Sequence, residues 1–312
     1  MSILEKQVIN IEKGTKIREY LKTELGLSTR LIRSASLGKR IFVNNEVVKM
    51  NRVLNEGEII KIDLAKDESQ DIAPEKMDID IIYEDEDILV VNKKPFMVVH
   101  PTKSYQSGTL ANGVINYFME SNQNCIVRLV SRLDMNTSGL IIIAKNQFSH
   151  GMLSKEMSEN KVEKRYLAIV HGIMDEKQGT IDLPIYRPEG IEYGTKRIVD
   201  ERGQRSITHY KVIEEFKNSS LVECKLETGR THQIRVHLSH IGHPVVCDPV
   251  YGPQGGKTVF AVKGQLLHSA CLKLTHPQSG EAMEFHAPLP DDMEKVIQAL
   301  SNKYKTGGNI RA

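Results

Sequence analysis

The chain lacks the marks of a secreted, membrane-spanning or zinc-ribbon protein. Its four cysteines, Cys125, Cys224, Cys247 and Cys271, lie far apart with no CxxC pair, which argues against a disulfide scaffold or a zinc ribbon and fits a reducing cytoplasm. No apolar stretch approaches the ~20 residues of a membrane span, and the opening "MSILEKQVINIEKG" has neither the basic nor the apolar region of a signal peptide. No internal repeat and no HExxH motif occur, and "GPQGGKT" lacks the preceding strand and glycine spacing of a phosphate-binding loop.

What is present is 312 residues, 40% of them hydrophobic, enough for a large core and longer than the usual single domain. The net charge of +2 is unevenly spread: residues 1–65 hold 12 Lys/Arg against 8 Asp/Glu, and residues 66–87 hold 2 against 10. The acidic stretch also contains Ser69, Gln70 and Pro74 without an apolar period, so it reads as a linker over 66–77. Before it, Ile17, Leu21 and Leu25 make a helical stripe ending at Gly26. Ser28 is placed to cap a second helix ending at Gly38, and two short β-branched runs follow as a hairpin. Arg30 and Arg33 share one face of that second helix, with Arg40 just beyond its end.

From residue 78 to 300, strand-like runs are often consecutive and are interrupted by four helical patterns. This predicts an α+β domain on a mixed, largely antiparallel sheet rather than a doubly wound fold. Residues 301–312 read as a flexible tail.

Three segments hold the candidate chemistry. In "SRLDMNTSGLIIIAKN" Asp134 stands where a strand gives way to a polar turn, free to face a cleft. In "EKRYLAIVHG" strand alternation puts Tyr166 on one face with Ala168 and Val170. In "ETGRTHQIRVHLSHIGHPVVCDPVYG" Arg230 sits between a strand and a helix that begins near Thr231. An arginine so placed can hold a carboxylate in two-pronged fashion, an attraction of about 4 kcal/mol at ~4 Å before desolvation is subtracted. His232, His237, His240 and His243 crowd the same segment and raise the rival of a metal hydrolase, but no Glu lies inside the cluster and His243-Pro244 leaves the helix.

Taken together, "RLDMNTSGLIIIAK", "EKRYLAIVHG", "GRTHQIRVHLSHIGHPVVCDPVYG" and "LLHSACLKLTHPQSGE" resemble the motifs of the RluA-type RNA pseudouridine synthases over residues 78–290. "STRLIRSASLGKRIFVNNEVVKMNRVLNEGEIIKI" resembles the S4 RNA-binding domain, which would span residues 1–65. Ser131 departs from the family, many members of which have His before Arg-Leu-Asp. The resemblance implies isomerisation of uridine in RNA, with ribosomal RNA favoured over tRNA and DNA not expected. Asp134 would be the essential carboxylate, Arg230 its orienting partner, and Tyr166 a stacking platform and later general base. Arg132, Thr137, Ser138, Arg30, Arg33 and Arg40 would contact RNA, with Arg202, Arg205 and Lys145 as further candidates. Neither metal nor organic cofactor is implied, and a cytoplasmic monomer is the expected form. A non-catalytic S4-type RNA-binding protein is the other alternative.

Overall fold

A computed structural model describes residues 3–64, 70–190, 194–253, 260 and 262–306. The N-terminal elements are β1 (Ile3–Gln7), α1 (Ile17–Thr23), α2 (Thr29–Leu37), β2 (Ile41–Val43), β3 (Glu46–Val47) and β4 (Ile59–Asp63). The Ser28 hydroxyl accepts the Leu31 N–H at 3.2 Å, and Gly38 closes α2, as the capping pattern requires. The expected hairpin is part of a four-stranded sheet of order β1-β4-β2-β3, whose first strand the sequence reading did not contain. Only Leu4 of β1 is buried, so the strand carries no alternation, and its partner β4 lies more than fifty residues downstream. Ile17, Tyr20, Leu21, Leu31 and Ile60 form the core under this sheet, and Phe148 from the body of the protein joins them.

The remaining elements are β5 (Ile81–Glu84), β6 (Ile88–Lys93), α3 (Leu110–Glu120), β7 (Arg128–Leu129), β8 (Ser138–Ala144), α4 (Gln147–Ser158), β9 (Glu163–His171), β10 (Gln178–Asp182), β11 (Ile185–Tyr186), β12 (Ile198–Val199), β13 (Ile207–Glu215), β14 (Ser219–Leu226), α5 (Gln233–His240), β15 (Leu267–Thr275), β16 (Ala282–His286) and α6 (Asp291–Thr306). A ten-stranded sheet runs β10-β13-β14-β9-β15-β8-β6-β5, with β16 on β15 and β7 on β8. Its pairings are antiparallel except β15 with β8, so the mixed, largely antiparallel sheet is as expected.

Two boundaries differ from the expectation. Residues 65–69 lie outside the described residues, but from Gln70 the supposed linker is fastened to the body. The Gln70 side chain spans the Val127 backbone, Ile72 is buried beside α3, and the Glu75 N–H donates to Asn112 O at 3.1 Å. An acidic composition does not leave a segment loose when its backbone groups find partners. The expected tail is helical as far as Thr306, and 307–312 lie outside the described residues.

The continuous apolar run of β8 follows from its place in the middle of the sheet with both faces covered. Ile141 and Ile143 face α3, while Leu140 and Ile142 pack with Leu153 of α4 and Phe285 of β16. Ser269 of β15 pairs on one side with Gly139 of β8 and on the other with Tyr166 of β9. This seam brings the turn that holds Asp134 to the same end of the sheet as Tyr166. It also requires glycine: at Gly139, with φ +102°, a Cβ would lie 2.2 Å from Ser269 O. Gly139→Ala is therefore expected to lower stability by about 2–4 kcal/mol, read as a fall in the urea midpoint at unchanged m-value.

Candidate active site

Asp134 lies in the loop between β7 and β8, where its carbonyl accepts the Thr137 N–H at 3.1 Å and closes the polar turn. Its carboxylate opens onto a cleft also lined by Arg132, Thr137, Tyr166, Arg230, His232 and Arg235. The guanidinium that holds Asp134 is that of Arg235, not of Arg230: Arg235 Nη1 donates to Asp134 Oδ2 at 2.8 Å. Arg235 Nε and Nη2 meanwhile grip both oxygens of Asp248 at 2.7 and 2.8 Å. Asp248 is itself fixed by the backbone N–H groups of Val250 and Tyr251. One arginine thus bridges a buried carboxylate that orients it and a partly exposed one that faces the cleft.

Burial opposes the charge of Arg235, yet the carboxylates of Asp248 and Asp134 outweigh it and hold its pKa above the usual guanidinium value. Sequence reasoning chose the arginine at the strand end, which is exposed and whose guanidinium, among the described residues, reaches only Arg205 O at 3.4 Å while lining the cleft. No signal within the motif separates the two arginines, and burial in the helix does. Residues 233–238 of α5 are all buried, so the helix has no solvent-exposed face there, and a cation inside it must have carboxylate partners.

His232 caps α5 in a left-handed conformation, φ 59°, with Nε2 3.8 Å from Asp134 Oδ2. The Tyr251 hydroxyl accepts the Arg197 N–H at 2.8 Å and lies 2.9 Å from His232 Nδ1, which holds the ring with Nε2 towards the acid. Burial lowers the His232 pKa, against the pull of Asp134. Tyr166 is buried behind the carboxylate, and that burial, with the charge of Asp134, pushes its phenol up to about 12 although Ser269 works the other way.

Under the turn lies a second cation. Lys93 Nζ, almost wholly buried, donates to the carbonyls of Lys94, Met97 and Met135 at 2.9, 2.9 and 3.0 Å. Burial pushes its pKa down to about 7 and Asp134 pulls it back up. Three acceptors match the three protons of an ammonium, so the charged form fits this geometry and ties the residue after Asp134 to the end of β6.

The structure therefore gathers Asp134, Tyr166, Arg230, Arg132 and Thr137 around one cleft. Ser138 turns away, its hydroxyl 2.9 Å from His268 Nδ1. Arg30 and Arg33 stand exposed on α2, while Arg40 is drawn inward to Asp63 O at 2.7 Å and to Ser34 Oγ. Lys145 is buried against Glu84 at 2.9 Å, so it is an internal ion pair and not a surface contact. Arg202 and Arg205 pair with Asp200 and Asp182. The histidine cluster disperses: His237 is bound by Thr208 Oγ1 and Leu183 O, and His243 by His171 O. Among the described residues, neither group spaced to hold a metal contains one of these four histidines.

A model of the RNA pseudouridylate synthase family matches residues 87–240, the stretch that carries Asp134, Tyr166, Arg230 and Arg235. The chain is 40% identical to the uncharacterized RNA pseudouridine synthase YlyB of Bacillus subtilis (strain 168), covering 93% of this chain and 95% of that one. It is 37% identical to the ribosomal large subunit pseudouridine synthase D of Escherichia coli O6:H1, over 85% of this chain and 83% of that one. Among solved structures, human RNA pseudouridylate synthase domain containing 1 superposes with a TM-score of 0.57 at 28% identity, covering 72% of this chain and 95% of that one. The protein is thus an enzyme of the pseudouridine synthase fold. It belongs to the RNA pseudouridine synthase family and isomerises uridine in RNA.

Two outcomes follow from the site's electrostatics. Asp248→Ala removes the partner that orients Arg235 inside a dry helix, and is expected to cost about 3–5 kcal/mol in urea unfolding. His171, His232, His237 and His268 all have pKa values lowered by burial. The unfolded chain binds their protons first, so stability is lost as pH falls below about 6.5. The urea midpoint should drop over that range, and less steeply in His237→Gln.

Proposed function

We propose that this chain converts uridines of large-subunit ribosomal RNA to pseudouridine, with Asp134 as the essential carboxylate. The observation that carries the reading is Asp134 set at the cleft by Arg235 with Tyr166 buried behind it. The ribosomal target is supported by the named large-subunit relatives.

The cleft is the narrower of the two openings around Arg230, with about 60 Å³ of free room. The exposed Arg132 and Arg230 stand at its mouth, where a flipped uracil would enter. A flipped base costs a few kcal/mol of unstacking, least in loops and mismatches. Asp134 then acts at the ribose or the base to break the C1′–N1 bond, and the closed pocket keeps the detached uracil close while it turns to present C5. A phenol held near pH 12 stays protonated at neutral pH. Tyr166 therefore meets the ring as a stacking surface and a hydroxyl, not as a standing phenolate base. No metal or organic cofactor enters this scheme.

Residues 1–65 serve in this reading as an S4-type RNA-binding unit, with Arg30 and Arg33 side by side on α2 toward phosphates. The enzyme works as a cytoplasmic monomer on RNA rather than DNA, a setting with which four free cysteines agree. The test is release of tritium from C5-labelled uridine in ribosomal RNA. The unaltered protein is expected to release label and Asp134→Asn to fall by more than a thousandfold, roughly 4 kcal/mol of barrier. Equal release by both removes Asp134 from the chemistry. Arg235→Gln should reduce release strongly while leaving RNA binding near its original strength.

A further inference from the structure

Beside the cleft of Asp134, and sharing Arg230 with it, lies a second and roomier groove of about 450 Å³. It is built by the short hairpin of β11 and β12, which leaves the edge of the large sheet between β10 and β13. Four arginines line it, Arg187, Arg197, Arg202 and Arg230, together with Tyr186.

These four are not equivalent. Arg202 is neutralised by a two-pronged pair with Asp200, at 2.8 and 2.7 Å, and its guanidinium carbon lies 4.4 Å from the centre of the Tyr186 ring. It is a wall of the groove. Arg187, Arg197 and Arg230 have no carboxylate partner among the described residues. Arg197 is instead held by two carbonyls, Thr195 O at 2.7 Å and Lys196 O at 3.0 Å, while its own N–H is tied to Tyr251 of the active site. Burial and then the nearby Arg187 disfavour the charge of Arg197, and the pull of Asp134 only partly offsets them.

Folding alone gives no reason to hold like charges together without an anion between them. At Gly203 a Cβ would fall 2.4 Å from the Ile185 carbonyl carbon, so the loop after β12 is packed directly onto β11. The groove also begins where the base pocket ends, which suits a continuous chain with one anionic linkage per nucleotide.

We propose that the groove formed by Arg187, Arg197 and Arg230 binds the phosphodiester backbone of the RNA strand next to the nucleotide that enters the cleft of Asp134. This rests on the reading of the chain as an enzyme acting on RNA and adds where the strand is gripped. The contacts are to phosphate, so they set position and affinity without reading sequence.

The experiment measures binding of a fluorescently labelled, uridine-containing RNA stem-loop across a series of salt concentrations, using full-length protein. Each lost phosphate contact on a single strand lowers the slope of log K against log salt by about 0.7. Arg187→Gln, an exposed change that leaves the fold alone, is expected to lower the slope by that amount and to weaken binding several-fold. The double variant with Arg197→Gln should lower it by about twice as much. Lys273→Gln, on the β15–β16 pair, is the control and should leave the slope unchanged. An unaltered slope in both Arg187→Gln and the double variant overturns the proposal, as does an equal drop in the control. Binding is read without turnover, so failure of tritium release would count against the catalytic reading and leave this test intact.

Discussion

The active site depends on a single guanidinium with two carboxylates. Arg235 is locked by Asp248, whose side chain is fully buried, and spends its remaining nitrogen on Asp134, which is partly exposed. The asymmetry decides the roles. A buried bidentate pair with further backbone donors has one geometry, so it fixes the arginine, and the arginine then fixes the acid at the cleft. Removing the inner carboxylate would leave a cation in a low-dielectric helix with half its compensation, which is why such pairs are dangerous to break even when they add little net stability.

Around that bridge, the fold supplies walls of different character. Behind the acid stand the buried Tyr166 and the seam of β15 between β8 and β9, where Gly139 permits backbone contact that no side chain could. Beneath the turn, the Lys93 ammonium gathers three carbonyls and ties the loop to β6. In front, Arg132 and Arg230 are exposed and Arg230 leads into a cationic groove. The interior positions the carboxylate and the rim attracts an anionic polymer. Rim charges are screened by salt, whereas the buried bridge is screened much less.

The N-terminal sheet is joined to the body by hydrophobic contact, with Phe148 at the start of α4 entering the core of the first sheet. This contact gives α4 a double load, since Leu153 of the same helix packs against the large sheet. Residues 70–77 are not a free tether either, because the backbone of Ala73 and Glu75 is bonded to Asn112 of α3.

Much of this was legible in the sequence because it is local. The strand carrying Tyr166, the apolar run of β8, the cap at Ser28, the turn carrying Asp134 and the mixed antiparallel character of the sheet all follow from period, propensity and turn chemistry within short windows. The resemblance of whole motifs then supplied uridine isomerisation. What only tertiary structure decided was which charges meet. Arg230 and Arg235 stand five positions apart in one motif, and nothing local ranks them. The choice is made by Asp248 and Asp134, thirteen and one hundred and one positions away from Arg235. The same holds for Ser138, turned toward His268, for Lys145, claimed by Glu84, and for β1, which is a strand only because β4 returns beside it. Backbone preference is written in neighbours, while the pairing of buried charge is settled by whatever the completed fold brings within three ångströms.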